Sequence, residues 1–398
     1  MVKSDILFLK NYKRGFSVKV GIDGRYLKRQ VGLGKFTYHL IHALAKIDSR
    51  NEYIIYLDLP QAAEKLPQVK NFHWKVLTPS NYFIWEQICL PLQAAKDGLD
   101  LLHSPANTAP LCLSKKIKLI ITVHDVMFLL PFSVLPKSPS VYQNIGRFYR
   151  KIIVTAAARK AGIVATDSHY SAKDIIRYLK INKNKIKVVY LGSDQMAEQL
   201  QSRPSDNETL EKYKIHKPYL LALGGTDPRK NTEKVIQSFQ KLNREERQKY
   251  QLVIVGIDRH RNSNFSELVK DFQLEDRIVF TGFVGESELA TLYRQAYLFI
   301  YSSLYEGFGL PVLEAMSTGK PVVASKTTSI PEVGGRAVLY VNPESADEIA
   351  CGIQKILNDS PDAYQNRVDL GLQQAAQFSW EKTALAYRSL YEAIGARI

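Results

Sequence analysis

Thirteen short apolar runs punctuate this chain, and they constrain its fold more than any other feature. In the first half they are Val18–Ile22, Glu52–Leu57, His73–Leu77, Leu99–His103, Lys118–Val123, Gly162–Thr166 and Ile186–Tyr190. In the second half they are Tyr219–Leu223, Gln251–Val255, Ile278–Phe280, Ala296–Tyr301, Pro321–Ala324 and Val338–Val341. Amphipathic, helix-like segments separate them. Short strands without polar alternation must be covered on both faces, which is the condition of a parallel sheet between helices. Two such series predict two doubly wound α/β domains. The polar stretch Glu198–Glu211 reads as the link between them. The expected division is an extension over 1–17, a domain over 18–197, a linker over 198–215, a domain over 216–378 and a final helix over 379–398. The ligand is expected where the carboxyl ends of strands face an interdomain cleft.

A chain of 398 residues with 45% apolar side chains is long enough for two or three cores. No apolar run approaches the roughly 18 residues of a membrane span. The segment Ile6–Leu9 is too short for a secretory signal. Cys89, Cys112 and Cys351 are scattered and odd in number, which suits a reducing cytoplasm and makes neither a disulfide framework nor a metal cluster.

Charge is unevenly spread. Residues 1–200 hold 30 Lys and Arg against 14 Asp and Glu, so the whole excess of +15 lies in the first half. A basic half predicts either an anionic partner or simply a soluble face. Within it, Arg147-Phe148-Tyr149-Arg150-Lys151-Ile152-Ile153 spaces a basic amphipathic helix, with Arg159-Lys160 further on. Such a helix would either touch anionic lipid or lay its apolar stripe in the core.

Four loops carry candidate chemistry. In Tyr305-Glu306-Gly307-Phe308-Gly309-Leu310-Pro311-Val312-Leu313-Glu314, two glutamates flank a glycine turn that opens a helix. Gly307 and Gly309 permit tight backbone, and Pro311 suits the first helical turn. Free amide groups there suit an anionic or hydroxyl-rich ligand, and each carboxylate can hold a pair of sugar hydroxyls. After the first strand, Gly32-Leu33-Gly34 feeds a helix start that can cradle a phosphate. Thr37 stands where a dinucleotide fingerprint wants its third glycine, so an NAD site is not indicated. His124-Asp125 ends the Lys118–Val123 run. His124 could hydrogen-bond a substrate or stabilise a cationic transition state, and no serine nucleophile motif accompanies it. Gly224-Gly225-Thr226-Asp227-Pro228-Arg229-Lys230-Asn231 sets two cations at a helix start, which the helix dipole disfavours unless an anion sits there. Arg229 and Lys230 both suit a pyrophosphate. Phe283 and Val284, after the strand at Phe280, would offer a ring and backbone groups to a base. No Asp-x-Asp pair and no zinc spacing is present, so no metal site is expected.

Together these runs resemble the GT4 family of retaining glycosyltransferases, with the two-domain GT-B fold. Glu306 and Glu314 match its Glu-x7-Glu motif, Gly32 and Gly34 its acceptor-side loop, His124 its donor-sugar histidine, and Pro228-Arg229-Lys230-Asn231 its phosphate run. Asp167-Ser168 and Ile330-Pro331-Glu332-Val333 have the family's look as well. Gly225 departs from the pattern, where many members carry Arg. The resemblance implies an α/β architecture of two Rossmann-like domains facing each other across a cleft. It implies a nucleoside-diphosphate sugar, GDP- or UDP-linked, as donor rather than a bound cofactor. Glu314 would take the ribose, and Glu306 the donor sugar, aided by the amides of Phe308 and Gly309. His124 would support the oxocarbenium-like sugar. The acceptor would be a glycan or lipid-linked glycan, with a peripheral contact to anionic membrane and no nucleic acid. An epimerase or phosphorylase of the same fold stays open, although no pyridoxal lysine is identifiable. A nucleic-acid binder lacks a recognisable fingerprint.

Overall fold

The computed structural model describes residues 17–28, 32–130, 141–193, 205–216, 218–259 and 263–395. Most of the expected N-terminal extension and residues 198–204 of the expected linker lie outside them.

All thirteen apolar runs are strands. The first seven are β1 (Lys19–Asp23), β2 (Glu52–Leu57), β3 (Phe72–Val76), β4 (Leu101–Ser104), β5 (Lys118–Thr122), β6 (Ile163–Thr166) and β7 (Ile186–Val188). They form one parallel sheet in the order β3-β2-β1-β4-β5-β6-β7. The other six are β8 (Tyr219–Leu223), β9 (Gln251–Val255), β10 (Ile278–Gly282), β11 (Leu298–Tyr301), β12 (Val322–Ser325) and β13 (Val338–Val341). They form a second parallel sheet, β10-β9-β8-β11-β12-β13. Both orders reverse direction once, beside β1 in the first sheet and beside β8 in the second. Crossover helices leave to opposite sides at such a point, so a crevice opens at the carboxyl ends of the flanking strands.

The central strands are buried on both sides, as their unbroken apolar sequence requires. Val20 and Ile22 are fully buried in β1, and Leu220, Leu221 and Ala222 nearly so in β8. Gly21 marks a tight packing point, because a Cβ there would stand 2.3 Å from Leu99 Cδ1.

The chain forms two compact units. One holds the first sheet with the C-terminal helix Trp380–Gly395, and the other holds the second sheet through to Ser379. The C-terminal helix is tied to the first sheet by a buried polar relay. Tyr391 Oη lies 2.8 Å from His103 Nδ1, His103 Nε2 lies 2.8 Å from Thr122 Oγ1, and Tyr387 Oη lies 2.8 Å from the same Thr122 oxygen. Polar groups on buried strands need such partners. Burial pushes the His103 imidazole down to about 3, so it is neutral.

The expected linker is in part structured. Ser205–Lys212 is a helix of the second unit. Its Asp206 is buried and accepts from Arg294, from Thr291 Oγ1 at 3.1 Å and from Gln295 Nε2 at 2.8 Å. Polar composition suggests a loop here. A buried ion pair with a helix some 80 residues further on makes it part of the fold.

Candidate active site

The second unit gathers its candidate residues at the β8/β11 reversal. The turn Pro228–Lys230 leaves β8, and the loop 302–309 leaves β11. The register Ala222↔Ile300 sets these two exits side by side. One backbone and one side-chain bond join them: Leu304 N donates to Arg229 O at 2.8 Å, and Asn231 Nδ2 donates to Ser302 O at 3.0 Å.

Four donors then converge on one oxygen of Glu306. Its Oε1 lies 2.6 Å from Arg229 Nη1, 3.0 Å from Lys230 Nζ, 2.6 Å from Tyr301 Oη and 2.6 Å from Ser303 Oγ. All four bonds reach this one oxygen. The backbone of Glu306 is fixed from beyond β12, by Thr328 Oγ1 on its amide at 3.2 Å and Ser329 Oγ on its carbonyl at 2.9 Å. Burial alone would raise this carboxyl. Lys230, Arg229 and the hydroxyls of Ser303 and Tyr301 outweigh it and hold the group at about 2. Glu306 is therefore an anion at neutral pH.

This cluster answers the conflict that the sequence posed. Arg229 and Lys230 do not open an α-helix. They lie in a short 3₁₀ turn capped by Asp227, and Asn231 adopts a left-handed conformation (φ 56°) before the helix Thr232–Gln240 begins. The anion that the pair demanded is supplied by the chain itself, as Glu306. Gly225 is also engaged internally, since its amide donates to Thr232 Oγ1 at 3.0 Å. A Cβ at Gly225 would lie 3.1 Å from Lys230 Cγ, so a larger residue there would press on the lysine stem.

Beyond Glu306 the chain turns through Gly307 and Phe308 to Gly309, whose φ of 106° favours glycine. Leu310 and Pro311 open the helix Leu310–Ser317, whose N-cap residue, Gly309, makes no side-chain cap bond. Phe308 is buried, its ring 6.0 Å from that of Phe378. Glu314 is buried on that helix, with Tyr293 Oη 3.3 Å from its Oε2. The two glutamates therefore occupy different surroundings: Glu306 is in the cationic cluster, and Glu314 lies against a tyrosine. Phe283 follows Gly282 (φ 72°) and is 87% exposed, with Val284 half-buried beside it.

In the first unit, Gly32 holds a φ of 54° and starts the helix Leu33–Ile47 without a side-chain cap, and Gly34 is buried in its first turn. His124 follows β5 and is buried. Its Nδ1 lies 2.5 Å from Asp167 Oδ2, and its Nε2 lies 2.8 Å from the Pro105 carbonyl. Opposite an ionised carboxylate and a carbonyl, this geometry favours the protonated ring, whose two N–H groups both donate. Burial opposes this charge, but Asp167 and the Pro105 carbonyl raise the group above its ordinary range. The backbone on either side is fixed as well: Asn107 Oδ1 accepts from the His124 amide at 2.8 Å, and Ser171 Oγ donates to its carbonyl at 3.0 Å. The ring of Phe36, from the glycine-loop helix, meets the His124 ring edge-on at 4.8 Å.

Sequence reasoning did not single out Tyr301 or Ser303. Their signal was present, because residues two apart at a strand end face the same way, and both precede Glu306. Asp167 was noted only through resemblance. Its pairing with His124 needs β5 and β6 to be neighbours, which the sequence does not state.

Two doubly wound parallel sheets, each with its glycine turns at the carboxyl ends, have the architecture of the GT-B glycosyltransferases. The profile described as Glycosyltransferase Family 4 matches residues 31–195, and that of Glycosyl transferases group 1 matches residues 205–371. The O-antigen chain mannosyltransferase B of Escherichia coli is 36% identical over 384 residues, spanning 90% of this chain and 96% of that one. This chain belongs to the family 4 glycosyltransferases. The serotype-specific mannosyltransferase WbdA of Escherichia coli is 30% identical over 250 residues, which are 61% of this chain and 30% of that longer protein. A crystal structure of Anabaena HepE in complex with UDP and glucose shares the fold, with a TM-score of 0.70 at 17% identity, covering 94% of this chain and 100% of that one.

Proposed function

We propose that this glycosyltransferase moves mannose, or a similar hexose, from a nucleoside-diphosphate sugar to a glycan or lipid-linked acceptor, retaining the anomeric configuration and using no metal. The observation that carries the reading is the convergence of Arg229 and Lys230 on Glu306 at the β8/β11 reversal. Two cations held by one carboxylate form a site whose internal anion a diphosphate can replace. The similarity to two mannosyltransferases favours mannose among hexoses.

In this reading the diphosphate takes Arg229 and Lys230, and Glu306 turns to a hydroxyl of the donor sugar. Glu314 receives the ribose, while Phe283 and Val284 lie against the base. The C1–O bond to the diphosphate breaks as the acceptor oxygen bonds to C1 on the same face. The acceptor proton passes to the departing phosphate oxygen, giving the glycoside and a nucleoside diphosphate. Catalysis is then positioning plus stabilisation of the leaving charge. In the free protein both ring nitrogens of His124 are engaged, by Asp167 and by the Pro105 carbonyl, so in this reading Nε2 exchanges that carbonyl for a hydroxyl of the donor sugar.

The test is turnover of GDP-mannose and of UDP-sugars with a panel of glycan acceptors, with product anomers read by NMR and the assay repeated in EDTA. Transfer with retained configuration, unaffected by EDTA, is expected. Inverted product would sink the retaining reading, and loss of activity in EDTA the metal-independent one.

A further inference from the structure

Among the described residues, six non-glycine residues hold a left-handed φ: Asn107, Lys180, Lys214, Asn231, Gln273 and Thr328. Four of them close helical turns, where such a residue is ordinary. Lys180 and Asn231 are the C-terminal caps of the turns Ile175–Leu179 and Pro228–Lys230. Lys214 and Gln273 follow the helices Ser205–Lys212 and Ser263–Asp271, and the amide after each reaches back into its helix. Asn107 and Thr328 close no helix.

These two stand at matching places, each in its own sheet. Asn107 lies three residues past Ser104, the end of β4, and Thr328 three past Ser325, the end of β12. Beside β4 runs β5, which leads into His124, and beside β12 runs β11, which leads into Glu306. The side chain then does the same in both units. Asn107 Oδ1 accepts from the His124 amide at 2.8 Å, and Thr328 Oγ1 accepts from the Glu306 amide at 3.2 Å. Each loop also makes a second bond to the same site residue. Pro105 O lies 2.8 Å from His124 Nε2, and Ser329 Oγ donates to Glu306 O at 2.9 Å.

Both positions would suit glycine. Thr108 N donates to Ala106 O at 2.8 Å, which closes a three-residue turn on Asn107 with φ 68°, the rare and strained hand of the γ-turn. Ile330 N donates to Thr327 O at 3.3 Å, so Thr328 and Ser329 are the central pair of a turn. Their φ values, 55° and −82°, follow the type II′ pattern, whose first central residue is ordinarily glycine. Thr328 is β-branched as well, which makes a positive φ an outlier. Asparagine is the milder case. Glycine would relieve both turns but would bring no oxygen. Strain of this kind persists where the surroundings over-determine it, and it gathers at functional sites. What the two strained side chains share is an acceptor for the amide of a site residue.

We propose that Asn107 and Thr328 are positioning residues for the transfer, each held in a left-handed turn so that its oxygen fixes the backbone of the site residue beside it. A fixed amide sets where the Cα–Cβ bond of His124 or Glu306 points, and so where the imidazole or the carboxylate meets the donor sugar. The proposal rests on the roles given above to those two residues.

The experiment compares Thr328→Gly and Thr328→Ser with wild type by kinetics, melting temperature and hydrogen exchange, and Asn107→Gly and Asn107→Asp by the latter two. Thr328→Gly should lose protection at the Glu306 amide. Its kcat should fall about tenfold or more, since a small misplacement at the reacting centre is costly in rate. KM for the donor should change little, because Arg229 and Lys230 still hold the diphosphate. The melting temperature should not fall, since glycine relieves the turn. Thr328→Ser, which keeps the oxygen without the β-branch, should restore protection and kcat. Asn107→Gly should open the His124 amide to exchange, and Asn107→Asp, which keeps an acceptor and tolerates the left-handed region, should protect it again. Wild-type kcat in Thr328→Gly, unchanged exchange at either amide, or a loss that Thr328→Ser does not rescue would overturn the proposal. A wild type with no turnover would instead sink the proposed function, and the exchange would still decide whether the two side chains hold these amides.

Discussion

The hydroxyl of Tyr301 donates to Oε1 of Glu306 across 2.6 Å, and Lys230 Nζ donates to the same hydroxyl at 3.0 Å. The tyrosine thus bridges an anion and a cation at the end of β11. It is also buried, its ring stacked 5.8 Å from that of Phe299, so removing the oxygen leaves the packing intact. A hydrogen bond to a charged group is worth roughly 1.5–3 kcal/mol. Tyr301→Phe should lower kcat/KM about tenfold, or about 1.4 kcal/mol of transition-state stabilisation, with an unchanged fold by circular dichroism. Wild-type kcat/KM would show that Ser303, Arg229 and Lys230 suffice to orient Glu306.

Glu306→Gln separates the two tasks of the carboxylate. In the free protein it neutralises Arg229 and Lys230, and in the proposed reaction it grips the sugar. The amide keeps the shape and removes the charge. Calorimetry should show nucleoside diphosphate binding at least as tightly as to wild type, because the cations have lost their internal competitor, while kcat falls by at least about 10²-fold. Weaker diphosphate binding would contradict the exchange of anions.

The same variant carries a pH signature. The Glu306 carboxyl is held at about 2, below its ordinary value near 4.5. Its stabilising contribution is therefore complete above pH about 4.5 and is lost as pH falls toward 2. Denaturant melts of wild type and Glu306→Gln should differ most above pH 4.5 and converge in acid. A constant difference would place the effect in packing.

Lys230→Ala should cut turnover by at least about 10²-fold, the scale for losing one preorganised charge partner. The loss should fall mainly on kcat, because the lysine meets charge that grows as the diphosphate leaves. Near-normal turnover would remove Lys230 from the chemistry.

The His124–Asp167 pair predicts the opposite pH trend. His124 is raised above its ordinary value of 6.5. The stability it contributes is full below pH about 6.5 and is lost as pH rises through the higher folded value. Asp167→Asn should be most destabilising near neutral and mildly acidic pH, and its deficit should shrink in alkali. NMR of the His124 ring should show titration above 6.5 in wild type and at lower pH in the variant.

The sequence by itself determined the local order of this protein. Unalternating apolar runs encode strands covered on both faces, and each of the thirteen formed. Gly32 and Gly309 marked turns that need positive φ, and the Glu-x7-Glu spacing marked the loop that opens a helix. Such features are legible because periodicity and backbone sterics act over a few residues. The tertiary structure alone decided which side chains meet. Arg229 and Glu306 are 77 residues apart, and they touch because β8 lies beside β11. His124 is raised above its ordinary range because β6 brings Asp167 to its ring, and Asp206 leaves the apparent linker because Arg294 waits for it. Phe148 and Ile152 face water because the core beneath the helix Val141–Lys160 is filled from its other side, by Val154, Ala157 and Ala158. Strand order and packing are global properties, and a charge takes its meaning from the neighbours they supply.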